Sequence, residues 1–306
     1  MPIDLPGNKV LWIVGPTAVG KTGVAIRLAS QIGGEIVSAD SRYLYKGMNI
    51  GTAKPTEEEM NQVTHHMIDI ADPDETWSLG QYYSRSKEVI KNILSRGKTP
   101  IVVGGTGQYF RAFTQGWTLP GAGPEYELRE LLEKWGNEIG YHELHRKLAM
   151  IDPEAAAFIQ SENMRRTIRA LEVIFTSGQK FSDLRQKTIP EFDFHIVGLT
   201  MNRENLYLRV DERIQKMFEQ GFVEEVKGLV DKGFGANCPS MSAIGYNEVL
   251  HFLEGKTTLD GVTVEMKRKT RQFIRRQANW FKPNDENIRW YEMGVDVVDR
   301  ILKDYC

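Results

Sequence analysis

The run Gly15-Pro16-Thr17-Ala18-Val19-Gly20-Lys21-Thr22 matches the pattern G-x-x-x-x-G-K-[ST]. Its chemistry is the cradling of phosphate. The glycines let backbone N–H groups approach phosphate oxygens, Lys21 supplies a point charge, and the Thr22 hydroxyl can ligate a Mg²⁺ held by the same phosphates. An apolar run, Val10 to Val14, precedes the motif, and a helix-like stretch, Thr22 to Gln31, follows it. That strand, loop and helix order is the setting the motif requires. The motif fixes a polyphosphate and leaves open whose it is.

A second candidate follows the next β-rich run. Glu35 to Ser38 reads as a strand ending at Ala39-Asp40-Ser41. The carboxyl ends of parallel strands line the ligand crevice of open α/β sheets, so Asp40 is expected near the phosphates. Three roles fit it: a general base toward an acceptor, an indirect Mg²⁺ ligand, or a cap for the next turn. Downstream, Tyr45 to Pro55 follows no hydrophobic period and suits a substrate-contacting loop.

A third signal is charge. From Lys267 to Lys282 there are seven basic residues and no acidic one, in a chain of formal net charge −2. At helical spacing Arg268, Arg271, Arg275 and Lys282 fall near one face, with Met266, Phe273, Ile274 and Phe281 toward another. This predicts a helix docked on the core with a basic outer stripe that contacts RNA phosphates. Arg165, Arg166 and Arg169 form a smaller cluster, and the two together suit an RNA stem. His65-His66 is set aside as a metal site, because adjacent side chains diverge and no third ligand has a useful spacing. Trp280, Trp290, Tyr109 and Phe110 read as packing residues.

Elements that could position these groups are legible as an alternation. Strand-like runs occur at Val10–Val14, Glu35–Ser38, Met67–Ile70, Ile101–Val103, His195–Leu199 and Ile288–Tyr291, with helix-like stretches between them. The expectation is an α/β fold, a parallel sheet flanked by helices on both faces. After Trp117 the turn-rich residues Pro120, Gly121, Gly123 and Pro124 open a stretch without strand signal. Domain organisation is thus expected as core (1–118), helical insertion (119–190) and core again (191–306). A chain of 306 residues with 41% apolar content can bury a substantial core. Cys238 and Cys306 have no CxxC spacing, which fits a reducing cytosol rather than a disulfide scaffold. No basic start precedes an apolar run, and nowhere do about 18 apolar residues follow one another, so neither a secretion signal nor a membrane span is expected.

Taken together, the Lys21 loop, Asp40-Ser41, Tyr45 to Pro55 and Val103-Gly104-Gly105-Thr106-Gly107-Gln108-Tyr109-Phe110 resemble the tRNA dimethylallyltransferase family. Arg165 to Val173, Ser242 to Asn247 and Arg271 to Phe281 are similar to that family's later motifs, in the same order. The resemblance implies a P-loop NTPase-like fold with a helical insertion. It also implies transfer of a dimethylallyl group from its diphosphate to the exocyclic amine of the adenosine 3′ of the anticodon, with pyrophosphate released. The P-loop then holds the diphosphate, and Arg213 resembles a family arginine assigned to that group, against the plain reading of a solvated helix arginine. By resemblance the tRNA-facing residues are Asp40, Ser41, Arg42, Tyr43, Thr106, Arg129, Arg165, Arg166, Arg169, Ser242, Gly245, Tyr246, Asn247, Arg275, Arg276, Gln277, Trp280 and Lys282. Ser242 and Asn247 depart from relatives that can carry arginine there. Expected partners are the tRNA anticodon stem-loop and dimethylallyl diphosphate, with Mg²⁺ as cofactor, for a cytoplasmic monomer. A P-loop kinase acting on a small metabolite is the alternative; it would need ATP turnover and no basic stripe.

Overall fold

A computed structural model of the chain describes residues 8–117, 125–184 and 188–305. The turn-rich stretch at 120–124, the first seven residues and Cys306 lie outside them. In chain order the elements are β1 (Lys9–Val14), α1 (Lys21–Ile32), β2 (Gly34–Ser38), α2 (Glu57–Gln62), β3 (His65–His66), α3 (Leu79–Ser95), β4 (Thr99–Val103) and α4 (Gly107–Thr114). Then come α5 (Tyr126–Ile139), α6 (Tyr141–Ile151), α7 (Pro153–Phe158), α8 (Met164–Ser177) and α9 (Phe181–Leu184). The rest comprises β5 (Asp193–Thr200), α10 (Arg203–Glu219), α11 (Phe222–Asp231), a 3-10 turn (Pro239–Ser242), α12 (Tyr246–Leu253), α13 (Leu259–Ala278), β6 (Ile288–Glu292) and α14 (Val297–Tyr305).

All six strands join one parallel sheet in the order β3-β2-β4-β1-β5-β6. Residues 10–14 of β1 and all of β2 and β4 are buried, as near-continuous apolar strands covered on both faces must be. This order decides where the chemistry sits. The loop after β4 emerges between the loop after β1, which carries Lys21, and the loop after β2, which carries Asp40. The third strand lies at His65–His66 rather than at 67–70. Met67 and Asp69 have φ of 62° and 53°, so the backbone leaves the extended region, and Asp69 and Ile70 instead donate N–H bonds to Tyr43 and Leu44.

The chain divides into two compact units, one of Met1–Trp77, Arg85–Phe110 and Phe192–Cys306, the other of Ser78–Ser84 and Arg111–Glu191. The second therefore resumes at Arg111 and takes in the start of α3, where the sequence suggested a boundary at 119. In the first unit Trp12 of β1 meets Phe110 and Phe194 edge-on at 5.6 and 5.4 Å, and Phe110 meets Phe281 at 5.3 Å. Such aromatic contacts add to the burial they accompany. The second unit has its own core, in which Leu132, Leu144, Leu148, Ile159, Ile168 and Leu171 pack together. It consists of amphipathic helices whose capping is local: Asp152 accepts Ala155 N–H at the start of α7 and Asn163 accepts Arg166 N–H at the start of α8.

Candidate active site

The loop after β1 turns on residues that a larger side chain would spoil. Gly15 has φ of 147°, and a Cβ there would stand 2.5 Å from the Leu199 carbonyl oxygen. Gly20, at φ 105°, begins α1 without any side-chain cap, so the helix presents backbone N–H groups and its positive end to the loop. Lys21 Nζ donates to the carbonyls of Gly15 at 3.0 Å and Pro16 at 2.9 Å. Burial lowers the Lys21 pKa to about 8, against the opposing pull of Asp40, with the like charge of Arg213 adding to the depression. Lys21 thus stands within electrostatic reach of both residues.

The residues on either side of Asp40 are held by the loop after β4. Ala39 N–H donates to Val103 O at 2.7 Å, Thr106 N–H donates to Ala39 O at 3.4 Å, and Ser41 N–H donates to Thr106 Oγ1 at 3.2 Å. A Cβ on Gly104 would lie 2.2 Å from Ala39 O, which is why the backbones can close on one another. Asp40 Oδ1 accepts Arg42 N–H at 2.9 Å. The turn-cap role weighed from the sequence is therefore present, and it uses one carboxylate oxygen of two. Arg42 donates onward to Pro239 O at 3.4 Å.

The end of α13 fastens this arrangement. Gln277 accepts Thr17 N–H at 2.8 Å and donates to Gly105 O at 3.2 Å, tying the phosphate loop to the turn after β4. Gln277 was expected to face RNA. It is buried instead, because it lies on the apolar face with Met266 and Ile274, where an amide must satisfy its bonds within the protein. Tyr246 is likewise buried, and its hydroxyl donates to Glu225 at 2.6 Å. Gly245 is buried with φ of 101°, donating its N–H to Glu248 at 2.6 Å. Asn247 is half-buried and Ser242 is exposed, with its hydroxyl on Pro239 O. The Trp280 ring packs where a Cβ on Gly107 would stand, 2.1 Å from Trp280 Cγ.

Across the loop from Asp40 lie groups from α10. Arg213 Nη2 donates to Thr52 O at 3.0 Å. Tyr43, another expected RNA contact, donates its hydroxyl to Ala53 O at 2.6 Å. Burial raises its pKa, and the Asp40 charge adds to the rise. Two residues not singled out from the sequence also reach the phosphate loop. A Cβ on Gly20 would meet Met293 Cε at 3.2 Å and Arg209 Nη2 at 3.5 Å. Arg209 lies four residues before Arg213, on the same face of α10, and that spacing was the available signal.

The basic run is helical only to Ala278, so Lys282 leaves the stripe. Nor does the run lack acidic partners, for they come from elsewhere in the sequence. Arg271 pairs with Asp211 through both carboxylate oxygens at 2.9 Å and stacks over Tyr207, Lys267 reaches Asp211 at 3.6 Å, Lys269 pairs with Glu248, and Arg268 pairs with Glu265. Among the described residues, exposed Arg275, Arg276 and Lys282 make no ion pair. In the second unit Arg165 and Arg166 are exposed, while Arg129 and Arg169 each donate at 2.8 Å to one oxygen of buried Glu172. A guanidinium has five donors, so both keep further N–H groups for an anion.

The oxygens of Thr22 and Asp40 are the hard donors a small divalent cation takes, so the residues present fit Mg²⁺. Among the described residues no helix is long and apolar enough to cross a membrane.

The IPP transferase family profile matches residues 43–284. The chain is 44% identical over 286 residues to a tRNA dimethylallyltransferase of Thermomicrobium roseum, covering 94% of this chain and 87% of that one. It is 47% identical over 273 residues to one from a Roseiflexus species, covering 89% and 90%. Among solved structures, the tRNA isopentenylpyrophosphate transferase of Bacillus halodurans superposes with a TM-score of 0.71 at 39% identity, covering 98% of this chain and 95% of that one. A eukaryotic dimethylallyltransferase acting on tRNA superposes at 0.82 and 28%, covering 94% and 74%.

Proposed function

Because the chain belongs to the IPP transferase family, we propose that it transfers a dimethylallyl group from dimethylallyl diphosphate to the exocyclic amine of the adenosine 3′-adjacent to the anticodon in tRNA. The observation that carries this reading is that the loop after β4 is tied on one side to the Asp40 turn, through Ser41 N–H on Thr106, and on the other to the Lys21 loop, through Gln277 between Gly105 and Thr17. An acid beside a phosphate cradle is what transfer to a weak nucleophile from a diphosphate requires.

Adenine's exocyclic amine is a poor nucleophile, since its lone pair is delocalised into the ring. As its nitrogen bonds to the allylic carbon, the carbon–oxygen bond breaks and its electron pair leaves on the diphosphate. The amine proton passes to Asp40. Lys21, the α1 N-terminus and Arg213 stabilise the charge on the departing diphosphate without moving, and Arg209 adds a second guanidinium at the same mouth. Thr22, with Asp40 through water, would hold a Mg²⁺, which supplies further charge neutralisation on the diphosphate when bound. The target base leaves its loop to reach the amine acceptor position, as an enzyme acting on a base in structured RNA requires. Arg275, Arg276 and Lys282 on the first unit, and Arg165, Arg166, Arg129 and Arg169 on the second, supply phosphate contacts to the anticodon stem-loop. The protein's working place is the cytoplasm, and one chain carries every group named, so a monomer suffices.

Incubating the protein with unmodified tRNA and labelled dimethylallyl diphosphate should label the RNA and release pyrophosphate in equal amounts. Unlabelled RNA alongside steady ATP turnover would support the kinase alternative instead.

A further inference from the structure

Glu225, in α11, sits outside the phosphate loop yet gathers four donors. Its Oε2 accepts the backbone N–H groups of Asn49 at 2.8 Å and Ile50 at 2.7 Å, and its Oε1 accepts Gly51 N–H at 3.1 Å and the Tyr246 hydroxyl at 2.6 Å. A carboxylate has about four lone-pair positions, so this one is fully used. Hydrogen bonds to a charged acceptor are the stronger kind. Gly51 is further wedged in place, because a Cβ there would stand 2.1 Å from the Phe222 ring and 2.6 Å from the Tyr246 ring.

What the held loop does next gives the arrangement a purpose. The two carbonyls that follow Gly51 point at the site: Thr52 O receives Arg213 at 3.0 Å and Ala53 O receives the Tyr43 hydroxyl at 2.6 Å. Ala53 itself has φ of 51°, a conformation that an alanine adopts only when its surroundings impose it. The carboxylate that fixes residues 49–51 therefore also fixes the direction of both carbonyls.

We infer that Glu225 is a positioning residue for the diphosphate site: it fixes the 49–53 loop, whose carbonyls hold Arg213 and Tyr43 against the phosphate loop. The inference rests on the reading of that site as the one that grips the diphosphate. It makes a prediction opposite to simple electrostatics. Removing a negative charge near an anion site should tighten anion binding, whereas releasing the loop should weaken it.

The test titrates inorganic pyrophosphate with Mg²⁺ into the wild-type protein and into Glu225→Gln, a near-isosteric change that turns one acceptor into a donor facing other donors. The expected result is pyrophosphate affinity lowered about tenfold, a matching rise in KM for dimethylallyl diphosphate, and tRNA affinity within about twofold of wild type. The effect should also be non-additive with Arg213→Ala, since both act through one contact. Unchanged or tighter pyrophosphate binding in a folded Glu225→Gln protein, or full additivity with Arg213→Ala, would overturn the inference. Should Glu225→Gln fail to fold, Tyr246→Phe removes one of the four donors and keeps the ring; wild-type pyrophosphate affinity there would overturn it equally. If the wild-type protein itself binds no pyrophosphate, it is the proposed function that fails.

Discussion

Gln277 Oε1 accepts the Thr17 N–H at 2.8 Å while its Nε2 donates to Gly105 O at 3.2 Å, so one buried amide joins the loop after β1 to the loop after β4. Replacing it with leucine keeps the volume and leaves a half-buried N–H and a buried C=O without their partner. The expected loss is about 1–3 kcal/mol of stability, read as a lower urea midpoint at unchanged slope. Diphosphate affinity should fall as well, since the loop that carries Thr17 loses its tie to the turn after β4. A variant of wild-type stability would show that water replaces the amide.

Asp40→Asn separates the two roles of that residue. The asparagine oxygen can still accept Arg42 N–H, which holds the turn at 2.9 Å, but the amide cannot take a proton. Single-turnover transfer should drop roughly 100-fold or more, as for loss of a general base, with tRNA affinity nearly intact. An unchanged single-turnover rate would remove Asp40 from proton transfer.

Arg275 and Arg271 lie on one helix and should behave differently. Arg275→Ala removes an exposed cation with no ion pair, so tRNA binding should weaken and the slope of log affinity against log salt should shrink by about 0.7–0.9. Arg271→Ala breaks the bidentate pair with Asp211 that joins α13 to α10. It should lower the thermal midpoint, and the salt slope should hold. Equal salt slopes for Arg275→Ala and wild type would place that residue outside the RNA contact.

Glu35 gives the acid limit. It is buried at the start of β2 between Arg96, Lys98 and His66. The hydrogen bonds from Arg96, then those from Lys98 and His66, hold its carboxyl well below the ordinary 4.5 despite burial. A folded-state pKa below the unfolded one means stability that is present above about 4.5 and lost progressively as pH falls. The gap in urea midpoint between wild type and Glu35→Gln should be widest at pH 6 and narrow below pH 4.5. A gap that stayed constant to pH 3 would show that Glu35 contributes no such stability.

The local motifs were legible because their chemistry is contiguous. Gly15 to Thr22 announces a phosphate loop through its own glycines, and the alternation of apolar runs announces a parallel sheet, since both depend on neighbours in sequence. Asp40 could be placed for the same reason, as the end of a recognisable strand. The basic run shows where such reading stops: Lys267 to Lys282 contains no acid, yet Asp211 and Glu248 pair with three of its seven basic residues from other helices. Gln277 and Tyr246 turned inward because each falls on the apolar face of its helix, where burial and hydrogen-bond satisfaction outweigh polarity.

Sequence alone determined the glycine loop with Lys21, the acid at the end of the second strand and the class of fold, because these follow from residue types at fixed short spacing. Tertiary structure alone decided that Glu225 grips residues 49–51 from about 175 positions away, that Arg213 and Tyr43 meet carbonyls of that loop, and which arginines remain open to RNA. Hydrogen bonds and ion pairs between distant segments carry no periodicity. They exist only once packing brings their partners together.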